Sequence, residues 1–204
     1  METRKTSLET NKFYHIYNRG INGQNIFLEE RNYTYFLMKY GQYIYPFVNT
    51  YSYCLLKNHF HLLIKVKSEE EIRSFLNGKH ESKSESWIVS NAFASLFKSY
   101  AQAINKQFGR TGSFFEEPFH RICVDNEVYF SRLVWYIHYN PQKHGFVSYF
   151  RDYPYSSSHS HLVNSPTKLE RNEVINWFGS KEAYQNFHGI TNFENEISKY
   201  ILEF

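Results

Sequence analysis

Hydrophobic and polar residues alternate along the chain with two different periods, and the order of these periods predicts the elements. In residues 13–18 aromatic and polar side chains alternate, which predicts a first strand. In residues 29–45 apolar side chains recur every three or four positions, which predicts a helix that ends at Pro46. The apolar runs 47–56 and 59–66, separated by a short polar turn, then predict a hairpin.

The second half of the chain continues with helices around a further strand. Ser68 and the acids after it predict a helix start, and residues 87–108 predict a long helix. Residues 113–124 predict a strand that is bent or lies at a sheet edge, because Pro118 interrupts it. A last core helix is predicted from Asp125 or Asn126 to Tyr139, ended by Asn140-Pro141, and a further helix is predicted at 169–178.

The predicted order is strand, helix, strand, strand, helix, strand, helix. This order is typical of the ferredoxin-like split βαβ arrangement, an α+β fold in which helices cover one face of an antiparallel sheet. We therefore expect the second hairpin strand, residues 59–66, in or beside the middle of the sheet. We expect the main helices to cover one face of the sheet and to leave the opposite face of this strand open.

The amino-acid composition excludes few classes of function. Aromatic residues make up 20% of the 204 residues, enough for a large core and for surfaces on which bases stack. The net charge of +3 is too small to identify a nucleic-acid partner by itself. The two cysteines, Cys54 and Cys123, lie in apolar runs without metal-type spacing, which predicts a reducing compartment. We find no signal peptide and no membrane-spanning run, so we expect a cytoplasmic protein with no membrane partner.

The first candidate for chemistry is the pair His59 and His61 at the start of the second hairpin strand. Positions i and i+2 of a strand point to the same face, about 6–7 Å apart. Two neutral imidazoles at this spacing can share one divalent metal ion. The alternative is a pair of half-exposed histidines on a sheet, with no function.

The second candidate is the pair Tyr136 and Asn140 on the last core helix. Four residues apart, they share one face of the helix. A tyrosine phenol becomes a nucleophile toward phosphorus when a metal polarises the phosphate, and the amide oxygen of Asn140 is a natural third ligand. The alternative is an ordinary tyrosine beside an asparagine that ends a helix.

Taken together, these segments resemble the single-tyrosine HUH transposases, whose name denotes a His-hydrophobic-His motif, and among them the REP-associated tyrosine transposases. The resemblance covers about residues 12–162 and includes landmarks in the same order. The landmarks are Phe13 to Gly20, Asn58 to Leu63, Gly112 to Phe115, Tyr136 to Pro141, and Tyr153 to Ser157. We accordingly divide the chain into a transposase-like domain, residues 1–162, and a C-terminal extension of unknown role, residues 163–204.

The resemblance implies an enzyme that nicks and joins single-stranded DNA hairpins. Tyr136 would attack a phosphodiester and form a 5′-phosphotyrosine bond, while His59, His61 and Asn140 hold Mg²⁺ or Mn²⁺. The expected contacts to DNA phosphates are basic and amide residues: Arg19, Lys57, Lys98, Gln102, Lys106 and Arg110. The family contains monomers and intertwined dimers, so a homodimer, and a tyrosine supplied by a partner chain, both stay open.

Two departures from the family pattern leave other functions open. Lys57 stands where the family often has proline, and Glu116 and Glu117 interrupt a stretch that is often basic. One alternative is a domesticated DNA- or RNA-binding module that recognises hairpins without cutting them. Another is a metal-dependent phosphodiesterase that uses water as the nucleophile and forms no bond between protein and DNA.

Overall fold

The computed structural model describes residues 6–189 and 193–197 of the chain. Its centre is a four-stranded sheet in the order β2-β3-β1-β4, and every neighbouring pair is antiparallel. The strands are β1 (Phe13–Arg19), β2 (Val48–Leu55), β3 (His59–Val66) and β4 (His120–Val124). This order and pairing confirm the predicted α+β fold with a ferredoxin-like split βαβ core.

Helices connect and flank the strands, and several begin at the expected capping residues. Ser68, Ser84 and Asn126 each accept a backbone N–H of the first turn that follows them. The core helices are α1 (Glu30–Tyr43), α2 (Glu69–Leu76), α3 (Glu85–Gln107) and α4 (Glu127–Lys143). The C-terminal helices are α5 (Arg171–Phe178), α6 (Lys181–Gly189) and α7 (Glu194–Ile197).

One face of the sheet packs against α1 and α3. The strand residues that point to this face are apolar and alternate along β1 and β3, as the period of two requires. They form a buried cluster with aromatic side chains of the two helices, among them Tyr14, Ile16, Phe60, Leu62, Phe36, Phe93 and Tyr100.

The opposite face is covered as well, which corrects the expectation that helices lie on one face only. Helix α4 packs on this face against β2 and β3. Helices α6 and α7 contact α4, whereas α5 contacts β2 directly. Val174, Tyr184 and Ile197, all in the C-terminal extension, belong to the same buried cluster as α4. Because α4 contacts the sheet on one side and α6 and α7 on another, it is buried on more than one side.

Two predicted boundaries are wrong. Helix α4 does not end at Tyr139 but continues through Asn140 and Pro141 to Lys143, where the N–H of His144 bonds to the Asn140 carbonyl. Pro141 only removes one hydrogen bond, since it has no N–H, and the last turn tolerates the loss. Of the predicted strand 113–124, only His120–Val124 is regular, and Pro118 lies in the irregular segment before it. The edge position predicted for this strand is confirmed.

Two smaller expectations can also be compared with the structure. Cys54 and Cys123 are both free thiols. Among the helices in the described part of the chain, none is long and apolar enough to cross a membrane.

Candidate active site

His59 and His61 lie side by side on β3, with their ring centroids 5.2 Å apart and their planes nearly perpendicular. They point to the face of the sheet that α4 covers, so they are buried, with exposed fractions of 6% and 2%. The expectation of an open face is therefore wrong, although the predicted pairing of the two side chains agrees with their positions. The two rings are thus largely shielded from water.

Burial keeps both rings neutral at physiological pH. Removal from water, and secondarily the nearby His144, lower the pKa of His59 to about 3. The pKa of His61 also lies well below its usual value, first because of burial and then because of His15 and His59. A neutral imidazole carries one lone pair in the ring plane, which is the form that binds a metal ion.

The Nδ1 atoms of both rings already have hydrogen-bond partners. Nδ1 of His59 lies 2.8 Å from Oδ1 of Asn58, and Nδ1 of His61 lies 2.9 Å from Nε2 of His15. A carbonyl oxygen only accepts, so Nδ1–H of His59 donates and Nε2 of that ring keeps the lone pair.

Tyr136 of α4 lies against this pair within the same chain. Its ring centroid is 5.4 Å from that of His61, in an edge-to-face arrangement, and the side chain is 2% exposed. Helix α4 thus brings the candidate nucleophile beside the imidazoles, although Tyr136 lies 75 residues after His61 in the sequence.

Asn140, one turn after Tyr136, completes the group. Its Nδ2 donates to the Tyr136 carbonyl at 3.2 Å, and its side chain also interacts with His59, where it opposes the fall in pKa. Its Oδ1 is buried and has no hydrogen-bond partner among the described residues. A buried carbonyl oxygen without a donor suits a cation, so His59, His61 and Asn140 fit a metal ion with mixed nitrogen and oxygen ligands.

Without the amide of Asn140, such a site would have only the two imidazoles as protein ligands. Within residues 6–189 and 193–197, no group of three or more His, Cys, Asp or Glu side chains is arranged to hold a metal ion. Two imidazoles alone leave most of the coordination shell to water or a phosphate oxygen.

Two residues that the sequence pattern did not indicate, Lys143 and His144, lie beside this group. The Lys143 ammonium lies 5.5 Å from the Tyr136 ring centroid, and the exposed His144 ring lies 5.1 Å from the His59 ring. Lys143 is seven residues after Tyr136, a spacing that places both on one side of a helix. This signal was hidden because the predicted helix ended before Asn140.

The candidate DNA contacts fall into two groups. Arg19 and Lys57 lie close to the site: Arg19 is opposite His59 in the β1–β3 register, and Lys57 is exposed in the β2–β3 turn. The Arg19 guanidinium pairs with Glu116, with its Nε 2.6 Å from the Glu116 Oε1. Any DNA phosphate at Arg19 would therefore compete with a carboxylate.

The remaining candidates lie along and after α3, away from the histidines. Lys98 and Gln102 line a groove of about 660 Å³ between α3 and the segment 112–121. Lys106 is exposed, and Arg110 bonds to Gln24 and lies over the Phe114 ring. The groove reaches toward the histidines through Glu116, which lines it and also pairs with Arg19.

A further residue of this groove, Arg121, was also missed. Its guanidinium stacks on Phe119, 4.2 Å from the ring centroid, and donates to Ser90 at 2.7 Å. Its Nε is buried without an acceptor, and no carboxylate of the described residues forms an ion pair with it. Arg121 lies on β4, and the sequence pattern does not show that its side chain faces Ser90 of α3.

Comparisons with known proteins concern the sequence and the fold of the chain. No protein-family model matches the chain. A curated putative REP-associated tyrosine transposase from Haemophilus influenzae is 28% identical over 117 residues, which cover 56% of this chain and 61% of that relative. The match thus spans about three fifths of the relative's length.

A solved structure, described as a REP-associated tyrosine transposase bound to a REP hairpin, has the same fold. The superposition has a TM-score of 0.59 at 16% identity and covers 81% of this chain and 89% of that one. The resemblance predicted from the sequence is confirmed: the chain is similar in sequence to one putative REP-associated tyrosine transposase and shares its fold with another protein described as one.

Proposed function

We propose that this protein cleaves and rejoins single-stranded DNA through a covalent bond to Tyr136. The observation that carries the proposal is the meeting of Tyr136 with His59, His61 and Asn140 in one enclosed site. A phenol, two neutral imidazoles and an amide oxygen are the groups required for metal-assisted attack on a phosphodiester.

His59, His61 and Asn140 would hold Mg²⁺ or Mn²⁺. The ion supplies Lewis-acid polarisation of the scissile phosphate and neutralises charge on its oxygens. Imidazole ligands suit Mn²⁺ better than Mg²⁺, so we expect higher activity with manganese in vitro.

The covalent step balances as a transesterification. The phenolic oxygen of Tyr136 bonds to phosphorus, the bond from phosphorus to the 3′ oxygen breaks, and the phenolic proton is transferred to that oxygen. The products are a 5′-phosphotyrosine and a free 3′-hydroxyl, and attack by another 3′-hydroxyl reverses the step. No other cofactor is required, because the phosphotyrosine bond conserves the energy of the phosphodiester.

The proposed substrate is a DNA hairpin with a single-stranded flank. Support comes from the fold shared with a protein whose structure holds a REP hairpin. Arg19 and Lys57 would contact phosphates near the scissile bond, while Lys98, Gln102, Lys106 and Arg110 would contact a more distant part of the DNA. One chain carries the whole candidate site, so the proposal does not need a homodimer.

The test is formation of a covalent adduct. The protein is incubated with Mn²⁺ and 3′-labelled hairpin DNA with single-stranded flanks, and adducts are separated by denaturing electrophoresis. We expect an adduct with wild type and none with Tyr136→Phe. Tyr139→Phe is the matched control, because Tyr139 lies on the same helix but stacks on Trp135.

The enclosure of the site favours a second candidate, a hairpin-binding module that no longer cleaves. Tyr136 is 2% exposed, so DNA reaches it only if the end of α4 moves. Hairpin binding that is indifferent to Mn²⁺ and to Tyr136→Phe, without any adduct, would establish this function instead. Hydrolytic turnover without an adduct would indicate the phosphodiesterase.

A further inference from the structure

His15 of β1 contacts the candidate metal site from the neighbouring strand. It is fully buried, and its Nε2 lies 2.9 Å from Nδ1 of His61. The two rings are nearly parallel, with centroids 5.1 Å apart. His15 also stacks on Tyr17, which fixes the orientation of its ring.

We propose that His15 is a positioning residue that holds His61 in the form able to bind metal through Nε2. The proposal rests on the proposed function, since it concerns the same metal site. It assigns to β1 a role that neither the His-x-His spacing nor the Tyr136 helix implies.

The positions of the protons determine which nitrogen of His61 can bind metal. A neutral imidazole has one N–H and one lone pair, so in a bond between two neutral rings one nitrogen donates and the other accepts. The Nδ1 of His61 faces His15 at 2.9 Å, so a metal ion can reach this ring only through Nε2. Metal binding at Nε2 requires the proton on Nδ1, and then His61 donates to Nε2 of His15.

His59 follows the same scheme with a different partner. Its Nδ1 lies 2.8 Å from Oδ1 of Asn58, an atom that only accepts. Each candidate ligand therefore has an acceptor, or a group able to accept, facing Nδ1. Ligand histidines commonly have such a partner, and removing it lowers metal affinity about 10- to 100-fold.

The two partners differ in one respect. Asn58 Oδ1 fixes the proton of His59 in advance, whereas His15 is able either to donate or to accept. When His15 accepts, its own proton is on Nδ1, which is buried and has no partner among the described residues. Metal binding thus selects one of two proton arrangements of the His15–His61 pair.

The test measures Mn²⁺ affinity by electron paramagnetic resonance of free Mn²⁺, in the full chain without DNA. His15→Leu removes the acceptor, and we expect affinity to fall about 10- to 100-fold. His15→Gln places an amide oxygen near the position of Nε2, and we expect affinity within about threefold of wild type. His161→Leu is the matched control, because His161 is also fully buried but lies outside the site.

Equal affinity in wild type and His15→Leu would overturn the inference and leave the proposed function standing. Equal losses in His15→Leu and His15→Gln would show that His15 only fills space, and would also overturn it. No Mn²⁺ binding by wild type would instead refute the proposed function itself.

A second measurement does not depend on how the variants fold. Long-range ¹H–¹⁵N correlation spectra of wild type, with Mg²⁺ or Zn²⁺ as a diamagnetic probe, report which nitrogen of His61 carries the proton. We expect the proton on Nδ1 in the metal-loaded protein. A proton on Nε2 in that state would contradict the inference.

Discussion

At the scale of single residues, the site combines neutral ligands with a positive charge. His59 and His61 are uncharged because burial lowers the pKa of each, so they are able to coordinate a cation without first losing protons. Lys143 supplies a positive charge beside the Tyr136 ring. The same charge also contributes to the lowered pKa of His61, so it favours a neutral ligand and an ionised nucleophile together.

We expect Lys143→Gln to slow adduct formation about tenfold at pH 7, because the ammonium stabilises the phenolate of Tyr136 through charge. Single-turnover kinetics with labelled hairpin DNA measure this rate. Lys143→Arg keeps the charge and should retain most of it. An unchanged rate in Lys143→Gln at saturating DNA would show that the charge serves only in binding.

Glu116 holds Arg19 in an ion pair, which predicts that Glu116→Gln strengthens DNA binding. In Glu116→Gln the Arg19 guanidinium no longer pairs with a carboxylate, so it is able to contact one more DNA phosphate. The slope of log affinity against log salt concentration should therefore become steeper by about 0.7–1. Fluorescence anisotropy with hairpin DNA at several salt concentrations measures the slope.

The control for this prediction is Glu117→Gln. It removes the same charge from the same groove, but the structure shows no basic partner for Glu117 among the described residues. Equal slopes in the two variants would mean that general charge, and not the release of Arg19, determines binding.

The individual residues were predictable where one element carries the spacing. His59 and His61 share a face because strands repeat every two residues, and Tyr136 and Asn140 share one because helices repeat every three to four. His15 was not predictable in this way, since its contact with His61 depends on the register between β1 and β3. Registers are set by pairing across the sheet and not by local spacing.

At the scale of elements, α4 connects the site with the C-terminal helices. His138, two residues after Tyr136, bonds through Nδ1 to His188 and Tyr184 of α6 and through Nε2 to Ser52 and Ser157. The helix that carries Tyr136 and Asn140 is thus held by hydrogen bonds to β2, the segment after Tyr155, and α6.

This packing predicts that residues 1–162 do not form a stable fold by themselves. Removing the extension exposes the apolar surface that Val174, Tyr184 and Ile197 cover. Burial of these three side chains contributes about 5–8 kcal/mol, which is comparable with the stability of a whole domain. We expect residues 1–162 to lose cooperative unfolding in urea. Tryptophan fluorescence measures the unfolding.

Ile197→Ala provides a graded comparison in the full chain. It should lower the free energy of unfolding by about 2–5 kcal/mol without abolishing cooperativity. If residues 1–162 unfold cooperatively at the wild-type midpoint, the extension is an independent unit, as the sequence division expects.

Sequence patterns predicted the existence of these elements better than their surroundings. The order of strands and helices follows from periodicity and capping residues, such as Ser68 before α2. The second layer of helices was missed because α4 has apolar side chains on both sides, including Trp135 and Phe130. That pattern does not say which side meets the sheet.

At the scale of the whole molecule, several buried histidines make stability depend on pH. Burial lowers the pKa of His161 to about 3 and that of His188 to about 4, and lowers that of His138 well below its usual value. Below pH 6.5 the unfolded chain therefore binds protons that the folded chain does not. The free energy of unfolding falls as pH falls through this window, down to the folded pKa values.

We expect His161→Leu to reduce this dependence by up to about 1.4 kcal/mol per pH unit between pH 6 and pH 4. Urea unfolding at a series of pH values measures the slope, which is independent of any change in packing at neutral pH. His159→Leu removes an exposed histidine two residues away, and the difference between the variants isolates the effect of burial. A slope in His161→Leu as steep as in wild type would contradict the burial argument.

The same chain supplies Tyr136 and both candidate ligand histidines, which predicts that cleavage takes place within one subunit. In a mixture of Tyr136→Phe with His59→Leu, no molecule has a complete site, so we expect no adduct with hairpin DNA. Each variant is first shown to unfold cooperatively, because His59 is buried. An intertwined dimer that exchanges its α4 helices would instead combine an intact tyrosine with intact histidines in half of its mixed sites. Restored adduct in the mixture, together with a dimer mass by light scattering, would therefore show that the tyrosine acts in trans.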